Sequence, residues 1–336
     1  MLQLQVEAIK PETPDTATFY LKPVSGQKVL YQAGQFITLV VDHHGEEIRR
    51  SYSLSSSPDE DLLSIMVKRV QNGEISRYLL THARIGDIWN VVEPAGRFTV
   101  PNTAISKELV YFVAGSGIAP VFAQLKYILA HYEKYTITLF YSNQSASTII
   151  YKQQLDALSA SYPNQLHVHY LISDEGKRLN NIMVEQLVKK HTTNFEAAEY
   201  YLCGPFTYMR MVRLTLLYMG VKAEHIHKEN FVLETVPVNS NATNFAPRKL
   251  RIHFQDEWHD LMAGENQTIL QAALQNQLHL PYSCGNGVCA ACAVKCKSGK
   301  VTIVKNEVLT DSEIQQGWVL TCTGYAVSDG VQLDYE

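Results

Sequence analysis

The first part of the chain alternates short apolar runs with turn-forming residues, a rhythm typical of a β-rich domain. Runs such as 36–41 (Phe-Ile-Thr-Leu-Val-Val) and 63–67 (Leu-Ser-Ile-Met-Val) are separated by turn residues at barrel-like intervals. One helix is predicted over 76–83. The pair Pro101-Asn102 then marks a domain boundary, so we predict a β-barrel domain over residues 1–103.

Residues 104–233 change to an alternation of strands and helices. The predicted strands are 109–114, 137–141, 166–172 and 200–203, and the predicted helices are 121–131, 151–158, 183–190 and 208–218. This order predicts a doubly wound α/β domain, in which helices cover both faces of a parallel sheet.

Residues 234–248 are polar, contain proline and show no periodicity, so they are predicted to form a linker. A third domain is predicted over 249–336. Its elements are strands at 250–254 and 258–262, a helix at 268–277, and a loop rich in cysteine.

Four of the six cysteines have the spacing of iron–sulfur ligands. Cys284, Cys289 and Cys292 follow the pattern C-x4-C-x2-C, and Cys322 lies downstream, as in plant-type [2Fe–2S] proteins. Small residues between them leave room for backbone N–H groups to approach cluster sulfur. Zinc sites usually repeat a closely spaced pair of ligands instead. We therefore predict a [2Fe–2S] cluster in a small α+β domain of the β-grasp type, with zinc or inert cysteines as the alternatives.

Length, composition and charge narrow the class of protein. A chain of 336 residues suggests two or three domains, and 46% hydrophobic with 18% charged residues is ordinary for a globular protein. A net charge of −4 gives no electrostatic footprint for nucleic acid. The sequence shows no transmembrane run and no signal peptide, and two cysteines outside the predicted cluster are too few for a disulfide framework. We predict a cytoplasmic protein that binds neither nucleic acid nor membrane.

A glycine-containing turn follows the first predicted strand of the α/β domain. Gly115, Gly117 and Pro120 lie between that strand and the next helix, where glycine lets the backbone approach a pyrophosphate. The turn departs from the dinucleotide fingerprint because Pro120 stands in place of its third glycine. By itself, such a turn is more often structural than ligand-binding.

An Arg-x-Tyr-Ser element lies beside a strand of the first domain. Strand alternation places Arg50 and Tyr52 on one face, where the guanidinium would pair with a pyrophosphate and the phenol ring would lie along an isoalloxazine. Gly73 and Ser76 open the predicted helix, whose N-terminal N–H groups form a site for an anion. Taken alone, a surface Arg beside a core Tyr is the commoner explanation of the first element.

Together these motifs resemble the ferredoxin–NADP reductase family. The resemblance implies a six-stranded antiparallel β-barrel that binds FAD, followed by a doubly wound domain that binds NADH or NADPH. The residues that it assigns to FAD are Arg50, Tyr52, Ser53, Gly73 and Ser76, with Val67, Lys68 and Arg69 on the strand beneath the flavin.

Two further elements resemble the same family. Cys203, Gly204 and Pro205 match the Cys-Gly-Pro element that closes the cleft where nicotinamide meets flavin. Glu229 and Phe231 match a Glu-x-Phe tail whose aromatic ring lies close to the flavin. For Cys203 we favour a positioning role over a covalent one, since nothing local lowers the pKa of its thiol. The resemblance assigns catalytic positions to Cys203, Glu229 and Ser53, and nucleotide contacts to Gly115, Gly117 and Pro120.

The order of the three domains resembles the reductases of multicomponent oxygenases that carry a C-terminal plant-type ferredoxin. The chain looks most similar to the reductase of phenylacetyl-CoA epoxidase, while related reductases serve steroid hydroxylases, desaturases and the hybrid-cluster protein. The resemblance implies hydride transfer from NAD(P)H to FAD, then single-electron transfer through the cluster to a terminal oxygenase or another one-electron acceptor protein. A cluster-bearing redox sensor and a zinc flavoprotein that reduces small molecules are the alternatives.

The sequence does not decide between NADH and NADPH. The end of the second strand of a doubly wound sheet reads the ribose 2′ position, and here residues 141–145 (Tyr-Ser-Asn-Gln-Ser) contain neither an acid nor an Arg. Arg178 and Lys152 are candidate contributors from adjacent loops.

Overall fold

The residues that the computed structural model describes are 2–43, 45–70, 73–100, 107–231 and 245–335. The chain divides into two compact units, Met1–Phe231 (the first unit) and Val232–Glu336 (the second unit). The predicted boundary at residues 103 and 104, and residues 234–244 of the predicted linker, lie outside the described residues. The domain boundaries therefore stay predictions. In the described ranges, no helix is both long and apolar enough to cross a membrane.

Six antiparallel strands form the barrel of the first unit: β1 (Leu2–Thr13), β2 (Thr16–Pro23), β3 (Phe36–His43), β4 (Glu46–Ser53), β5 (Leu63–Lys68) and β6 (Ile88–Ala95). Their order in the sheet is β4-β3-β6-β1-β2-β5. A bridge between Leu54 and Ile65 joins the two outer strands and closes the barrel. Helix α1 (Glu74–His82) is the predicted helix, beginning slightly earlier than expected. The predicted antiparallel barrel is confirmed.

Five parallel strands follow: β7 (Glu108–Ala114), β8 (Thr136–Asn143), β9 (Leu166–Ile172), β10 (Glu199–Cys203) and β11 (Ile226–Glu229). The helices among them are α2 (Ile118–His131), α3 (Lys152–Ser161), α4 (Asn181–His191) and α5 (Phe206–Tyr218). The sheet order is β11-β10-β7-β8-β9. The sequence predicts four of these strands, whereas β11 (Ile-His-Lys-Glu) escapes prediction because it is short and mostly polar.

Alternate residues of β7 supply two separate cores. Leu109, Tyr111 and Val113 pack with α2 and α3 on one face of the sheet. Val110 and Phe112 pack with α4 and α5 on the other face. A strand buried on both faces is apolar almost throughout, which is why the sequence shows this sheet so clearly. The predicted doubly wound arrangement is confirmed.

The barrel and the parallel sheet share a core and a hydrogen-bonded junction. Met66 of β5 and Phe98 belong to the same buried cluster as the apolar face of α2. The Phe98 carbonyl accepts a hydrogen bond from Gln124 Nε2 at 2.5 Å. Tyr151 Oη lies 3.0 Å from Thr18 Oγ1 of β2. The barrel and the sheet are thus parts of one packed body.

The second unit is a mixed sheet with a helix packed on it. Five strands form the sheet in the order β13 (Glu257–Ala263), β12 (Arg248–Phe254), β18 (Val331–Asp334), β14 (Ala293–Ser298) and β16 (Trp318–Leu320). β15 (Val301–Ile303) pairs with β17 (Gly324–Ala326), and the helices are α6 (Ile269–Gln275) and α7 (Asp311–Gln315). The apolar residues of α6 lie in the core of this unit, so the predicted α+β architecture is confirmed.

Candidate functional site

A turn between β7 and α2, residues 115–117, forms what we call the nucleotide loop. Its first residue, Gly115, has a φ of +54°, and the space where a Cβ would stand is open. The Tyr141 hydroxyl, from the end of β8, donates a hydrogen bond of 3.0 Å to the Gly115 carbonyl oxygen. Pro120 is buried in the first turn of α2, where its missing N–H costs no helical hydrogen bond. The loop therefore combines open space over its backbone with a fixed shape.

The nucleotide loop presses directly against the end of β10. A Cβ on Gly117 would stand 2.3 Å from the Cys203 carbonyl oxygen, and a Cβ on Gly204 would stand 2.9 Å from the Ala114 Cβ. Glycine is needed at both positions for this close backbone approach. Pro205 follows as the N-cap residue of α5. The structure thus brings the predicted residues Gly117, Cys203 and Gly204 together.

A buried thiol and a buried carboxyl end two neighbouring strands. Cys203 of β10 pairs in register with Glu229 of β11, and both are buried. Burial, with the Glu229 carboxyl as the second cause, raises the pKa of the Cys203 thiol well above its ordinary value. Burial also raises the pKa of Glu229 to about 8. A protonated thiol is a poor nucleophile, whereas a carboxyl of that pKa is able to hold or release a proton near neutral pH. Phe231, two residues on, is 42% exposed.

The Arg-x-Tyr-Ser element lies at the C-terminal end of β4. Arg50 is exposed and donates from Nη1 to the Arg49 carbonyl oxygen at 2.8 Å. Burial raises the pKa of the Tyr52 phenol to about 12, and the Arg50 guanidinium opposes that rise, as expected for two residues on one strand face. Ser53 is 5% exposed, and its Oγ has no hydrogen-bond partner among the described residues. A buried hydroxyl without a partner fits a bound cofactor that would supply one.

The start of α1 is shaped by a serine that bonds to its own backbone. Ser76 Oγ donates to the Gly73 carbonyl oxygen at 3.1 Å and accepts from the Val70 N–H at 3.2 Å. A Cβ on Gly73 would stand 2.7 Å from that hydroxyl. The Ser76 hydroxyl, predicted as a cofactor ligand, is thus engaged by the backbone, and the N–H groups of the first turn are the donors that an anion would meet.

The strand predicted to lie beneath the flavin divides its residues between two faces. The Val67 side chain is fully buried in the barrel core, so it could reach a ligand only through its backbone. Lys68 Nζ lies 3.6 Å from an Asp15 carboxylate oxygen. Arg69 is exposed, and its N–H donates to the Asp15 carbonyl oxygen at 2.8 Å.

The second unit gathers the four predicted cluster ligands. Cys292 and Cys322 are buried, with their Sγ atoms 3.2 Å apart. Hydrogen bonds with the Cys289 and Cys322 thiols lower the pKa of the Cys284 thiol, and the same contacts raise the pKa values of Cys289 and Cys322. Thiolates are the form in which cysteine binds a metal, so a cationic group such as iron would stabilise these four neighbouring side chains as thiolates.

Residues 284–292, which we call the cluster loop, turn their backbone toward sulfur. The N–H groups of Asn286 and Val288 lie 3.3 and 3.5 Å from Cys284 Sγ, as predicted from the small residues of the loop. Gly285 and Gly287 have φ values of +64° and +72°. Ala290 also has a positive φ, of 57°, which the sequence does not predict. These features fit an iron–sulfur cluster, whose sulfurs accept such hydrogen bonds.

The structure gives no support to a mononuclear metal site. Over the described ranges, no group of three or more His, Cys, Asp or Glu side chains is arranged to hold one metal ion. The four thiols nevertheless approach one another closely.

Two tyrosines that support the site are missed by sequence reasoning. Tyr141 fixes the Gly115 carbonyl, and the Tyr208 hydroxyl lies 3.3 Å from both Ser142 Oγ and the Val113 carbonyl oxygen. The fold thus places the Tyr141 hydroxyl against the nucleotide loop and the Tyr208 hydroxyl against the end of β7. A tyrosine in an apolar strand or helix carries no mark in the sequence that separates such a role from core packing.

Comparison with known families adds a consistent assignment to each region. The family described as an oxidoreductase FAD-binding domain matches residues 3–100, and an oxidoreductase NAD-binding domain matches residues 112–214. A 2Fe-2S iron-sulfur cluster binding domain matches residues 252–327, which include all four clustered cysteines. The three predicted cofactor classes are thereby confirmed.

Relatives match the chain from end to end. The ferredoxin reductase component of 3-ketosteroid-9-alpha-monooxygenase from Mycolicibacterium smegmatis is 32% identical over 352 residues, covering 100% of this chain and 97% of the relative. A component of 1,2-phenylacetyl-CoA epoxidase from Escherichia coli is 28% identical, with coverage of 99% and 97%. Among solved structures, phthalate dioxygenase reductase superposes with a TM-score of 0.62 at 23% identity, covering 99% of this chain and 97% of that one. At this level of identity, the similarity to phthalate dioxygenase reductase shows a shared fold.

Proposed function

Because this chain belongs to the family of ferredoxin reductase components of oxygenases, we propose that it supplies electrons to the oxygenase component of such a system. The chain is an NAD(P)H-dependent oxidoreductase with FAD and a [2Fe–2S] cluster, and it passes electrons to a protein acceptor. The observation that carries the proposal is the full-length match, because a ferredoxin reductase component of a steroid monooxygenase aligns with 100% of this chain and 97% of its own length.

The proposed FAD site consists of residues of the barrel. Arg50 offers an exposed guanidinium for a pyrophosphate, and Tyr52 on the same face offers its ring to the flavin. Ser53 offers a buried hydroxyl that has no partner among the described residues. The backbone between Gly73 and Ser76 offers N–H groups for the pyrophosphate.

The proposed nicotinamide site lies between the nucleotide loop and the Cys203–Glu229 strand ends. Gly115 and Gly117 let the pyrophosphate approach the backbone, and the Cys203 thiol occupies the buried end of the cleft without acting as a nucleophile. We assign Glu229 the role of a buried proton carrier, because its raised pKa lets it stay protonated near neutral pH. When bound, FAD accepts a hydride from the nicotinamide and the cluster carries single electrons onward.

Cys284, Cys289, Cys292 and Cys322 are the proposed cluster ligands. The loop supplies N–H donors toward Cys284 sulfur, and such donors tune the reduction potential of an iron–sulfur centre. The chain itself therefore binds, orients and tunes the groups that carry the electrons.

For the acceptor we propose a terminal oxygenase such as phenylacetyl-CoA epoxidase. The named relatives serve steroid, phenylacetyl-CoA and glycine betaine oxygenases, so the family supports an oxygenase more directly than one particular substrate. The reductase of a desaturase, steroid hydroxylase or hybrid-cluster protein is the alternative, and a redox sensor without turnover is another. A cytoplasmic location stays a prediction.

The proposal is tested by anaerobic titration of the purified holoprotein with NADH and NADPH, followed by mixing with a purified oxygenase component. We expect the flavin and iron–sulfur bands to bleach and the acceptor to become reduced. In Cys322→Ser, flavin bleaching should persist while reduction of the acceptor falls by at least about a hundredfold, since a cluster with a lost ligand no longer relays electrons. Cys296→Ser is the matched control, because Cys296 is a half-buried thiol that donates to the Ser298 carbonyl oxygen.

Three outcomes would contradict this assignment. Unchanged electron transfer in Cys322→Ser would remove the role given to the cluster. Flavin bleaching without any iron–sulfur band would indicate a simple flavin reductase. An absence of bleaching with either nucleotide would favour the redox sensor.

A further inference from the structure

Cys322, the proposed cluster ligand outside the cluster loop, is joined to that loop by its neighbour Thr321. Thr321 follows β16, which pairs with β14 in the sheet of the second unit, and it is fully buried. Its N–H and its hydroxyl both donate to the Cys292 carbonyl oxygen, at 3.2 and 3.4 Å. Its own carbonyl oxygen accepts from the Leu270 N–H at 2.9 Å. One buried residue thus links the carbonyl of one ligand to the chain segment of another.

Tyr335 reaches this contact from the residue that follows β18. Its N–H donates to the His253 carbonyl oxygen at 3.1 Å, which fixes its backbone to β12. Its ring packs edge-on against Phe254, with ring centroids 5.5 Å apart. Its hydroxyl oxygen lies 3.4 Å from Thr321 Oγ1. The Thr321 hydroxyl therefore lies between the Tyr335 phenol and the Cys292 carbonyl.

The direction of the two side-chain hydrogen bonds follows from the number of protons. A hydroxyl has one proton to donate, and Thr321 donates its proton to the Cys292 carbonyl oxygen. Tyr335 is therefore the donor to Thr321. A phenol is protonated at neutral pH, and burial raises the pKa of Tyr335 further. The donors thus run in one direction, from Tyr335 through Thr321 to Cys292.

The hydrogen bonds onto the Cys292 carbonyl change the local charge beside the ligand sulfurs. The Sγ atoms of Cys292 and Cys322 lie 3.2 Å apart, on the two segments that Thr321 joins. A carbonyl oxygen carries a partial negative charge, and reduction of an iron–sulfur cluster adds a further negative charge. Hydrogen bonds and local charge are among the factors that set the potential of such a cluster. Donors that offset the charge of this oxygen therefore favour the reduced state.

We propose that Thr321 and Tyr335 are positioning residues that raise the one-electron reduction potential of the cluster. Thr321 holds the Cys292 carbonyl and offsets its charge, and Tyr335 fixes the Thr321 hydroxyl in the donating orientation. Hydrogen bonds in such a chain polarise one another, so Tyr335 also strengthens the bond to the carbonyl. The inference rests on the proposed electron-transfer function and adds the residues that tune its iron–sulfur centre.

The test is an anaerobic redox titration of the purified holoprotein, with the reduced cluster measured by electron paramagnetic resonance. Tyr335→Phe keeps the ring and removes the hydroxyl. We expect its reduced-to-oxidised ratio at a fixed applied potential to fall about threefold, with the iron content of wild type. This fall corresponds to about 30 mV, since a tenfold change in a one-electron equilibrium is about 59 mV.

Substitutions at Thr321 separate the hydroxyl from the packing around it. Thr321→Val keeps the shape and removes the donor itself, so the ratio should fall about tenfold, further than in Tyr335→Phe. Thr321→Ser keeps the hydroxyl and should retain the wild-type potential. The double variant Thr321→Val/Tyr335→Phe should match Thr321→Val, because Tyr335 acts through the Thr321 hydroxyl.

Tyr325→Phe is the matched control in the same unit, where the Tyr325 ring stacks on Phe245 with centroids 4.1 Å apart, and it should leave the potential unchanged. An unchanged potential in Tyr335→Phe would overturn the inference, and so would an equal fall in Tyr325→Phe. If Thr321→Val loses its iron, the titration of Tyr335→Phe decides alone. None of these results touches the proposed function, which fails separately if no nucleotide reduces the flavin.

Discussion

The cluster loop forms its site from side chains, whereas the nucleotide loop forms its site from backbone groups. The cluster loop presents side chains, the sulfurs of Cys284, Cys289 and Cys292, and joins them to Cys322. The nucleotide loop presents backbone, and other elements fix its shape: Tyr141 from β8 and the end of β10 at Cys203. The residue types identify a site made of side chains. For a site made of backbone, the glycines mark the loop in the sequence, but the residues that fix its shape are found only in the fold.

The two loops nevertheless use glycine in the same two ways. Each has a glycine with positive φ that faces open space, Gly285 in the cluster loop and Gly115 in the nucleotide loop. Each also has a glycine pressed against a carbonyl oxygen, since a Cβ on Gly287 would stand 2.4 Å from the Lys305 oxygen and one on Gly117 would stand 2.3 Å from the Cys203 oxygen. Within one loop, therefore, one glycine is needed for its positive φ and another for its close contact with a backbone carbonyl.

The largest loss of unfolding free energy is expected from a substitution at Gly287 in the cluster loop. Gly287→Ala and Gly285→Ala both place an alanine at a positive φ, but only the first meets a backbone carbonyl. We expect Gly285→Ala to cost about 1 kcal/mol of unfolding free energy from strain, and Gly287→Ala to cost about 3 kcal/mol, because backbone must also move. Urea unfolding followed by circular dichroism, with iron content measured in parallel, checks this. Equal losses in the two variants would show that the close approach is unimportant.

A smaller effect is expected from the buried carboxyl of Glu229, at the end of β11. The folded state holds the Glu229 proton up to a pKa of about 8, whereas the ordinary pKa of this group is 4.5. Between these values the folded state binds more protons than the unfolded chain, so stability falls as the pH rises through this window. We expect the unfolding free energy to decline by roughly 2 kcal/mol or more from pH 5 to pH 8 through this group.

Glu229→Gln should flatten that decline, and Glu133→Gln, at an exposed carboxyl, is the control that should leave it in place. Chemical unfolding at a series of pH values gives the two slopes. A slope in Glu229→Gln equal to that of wild type would mean that Glu229 ionises normally in the folded chain.

The smallest effect concerns a single hydroxyl under the nucleotide loop. Tyr141→Phe removes the bond to the Gly115 carbonyl and keeps the buried ring. We expect a rise of about fivefold in the Kd for nucleotide, in line with the net worth of one hydrogen bond. Tyr111→Phe is the matched control on the adjacent strand, because the Tyr111 hydroxyl has no hydrogen-bond partner among the described residues.

Calorimetric titration of both variants with NAD⁺ and NADP⁺ makes this measurement. If Tyr111→Phe weakened binding as much as Tyr141→Phe, the effect would come from packing of the sheet rather than from the shape of the loop.

Sequence reasoning succeeds where the residue type alone identifies the chemistry of a site. The cysteine spacing predicts the cluster ligands without any fold, and the alternation of predicted strands and helices predicts a parallel sheet covered on both faces. The sequence carries less information where a role depends on the direction in which a side chain points. Val67 lies on the predicted strand but points into the barrel core, and the hydroxyl of Ser76 bonds to its own helix start.

Contacts between distant segments escape the sequence for a related reason. Strand β11 is mostly polar, and its pairing with β10 gives it a place in the sheet that its own sequence does not predict. Asp174 meets Gln144 only because β8 and β9 are neighbours in the sheet. Such pairs are set by topology, and a single sequence carries no direct record of which strands lie side by side.

The junction between the barrel and the parallel sheet has a consequence for how the first unit melts. Tyr151 adopts a φ of 61°, stacks on Phe122 with ring centroids 4.4 Å apart, and reaches Thr18 of the barrel. Met66 and Phe98 lie in the core that α2 completes. Removing either half would expose the apolar surface of the other, so the two halves should unfold in one cooperative calorimetric transition. Neither half would then be recovered as an independent folded fragment after cleavage between them.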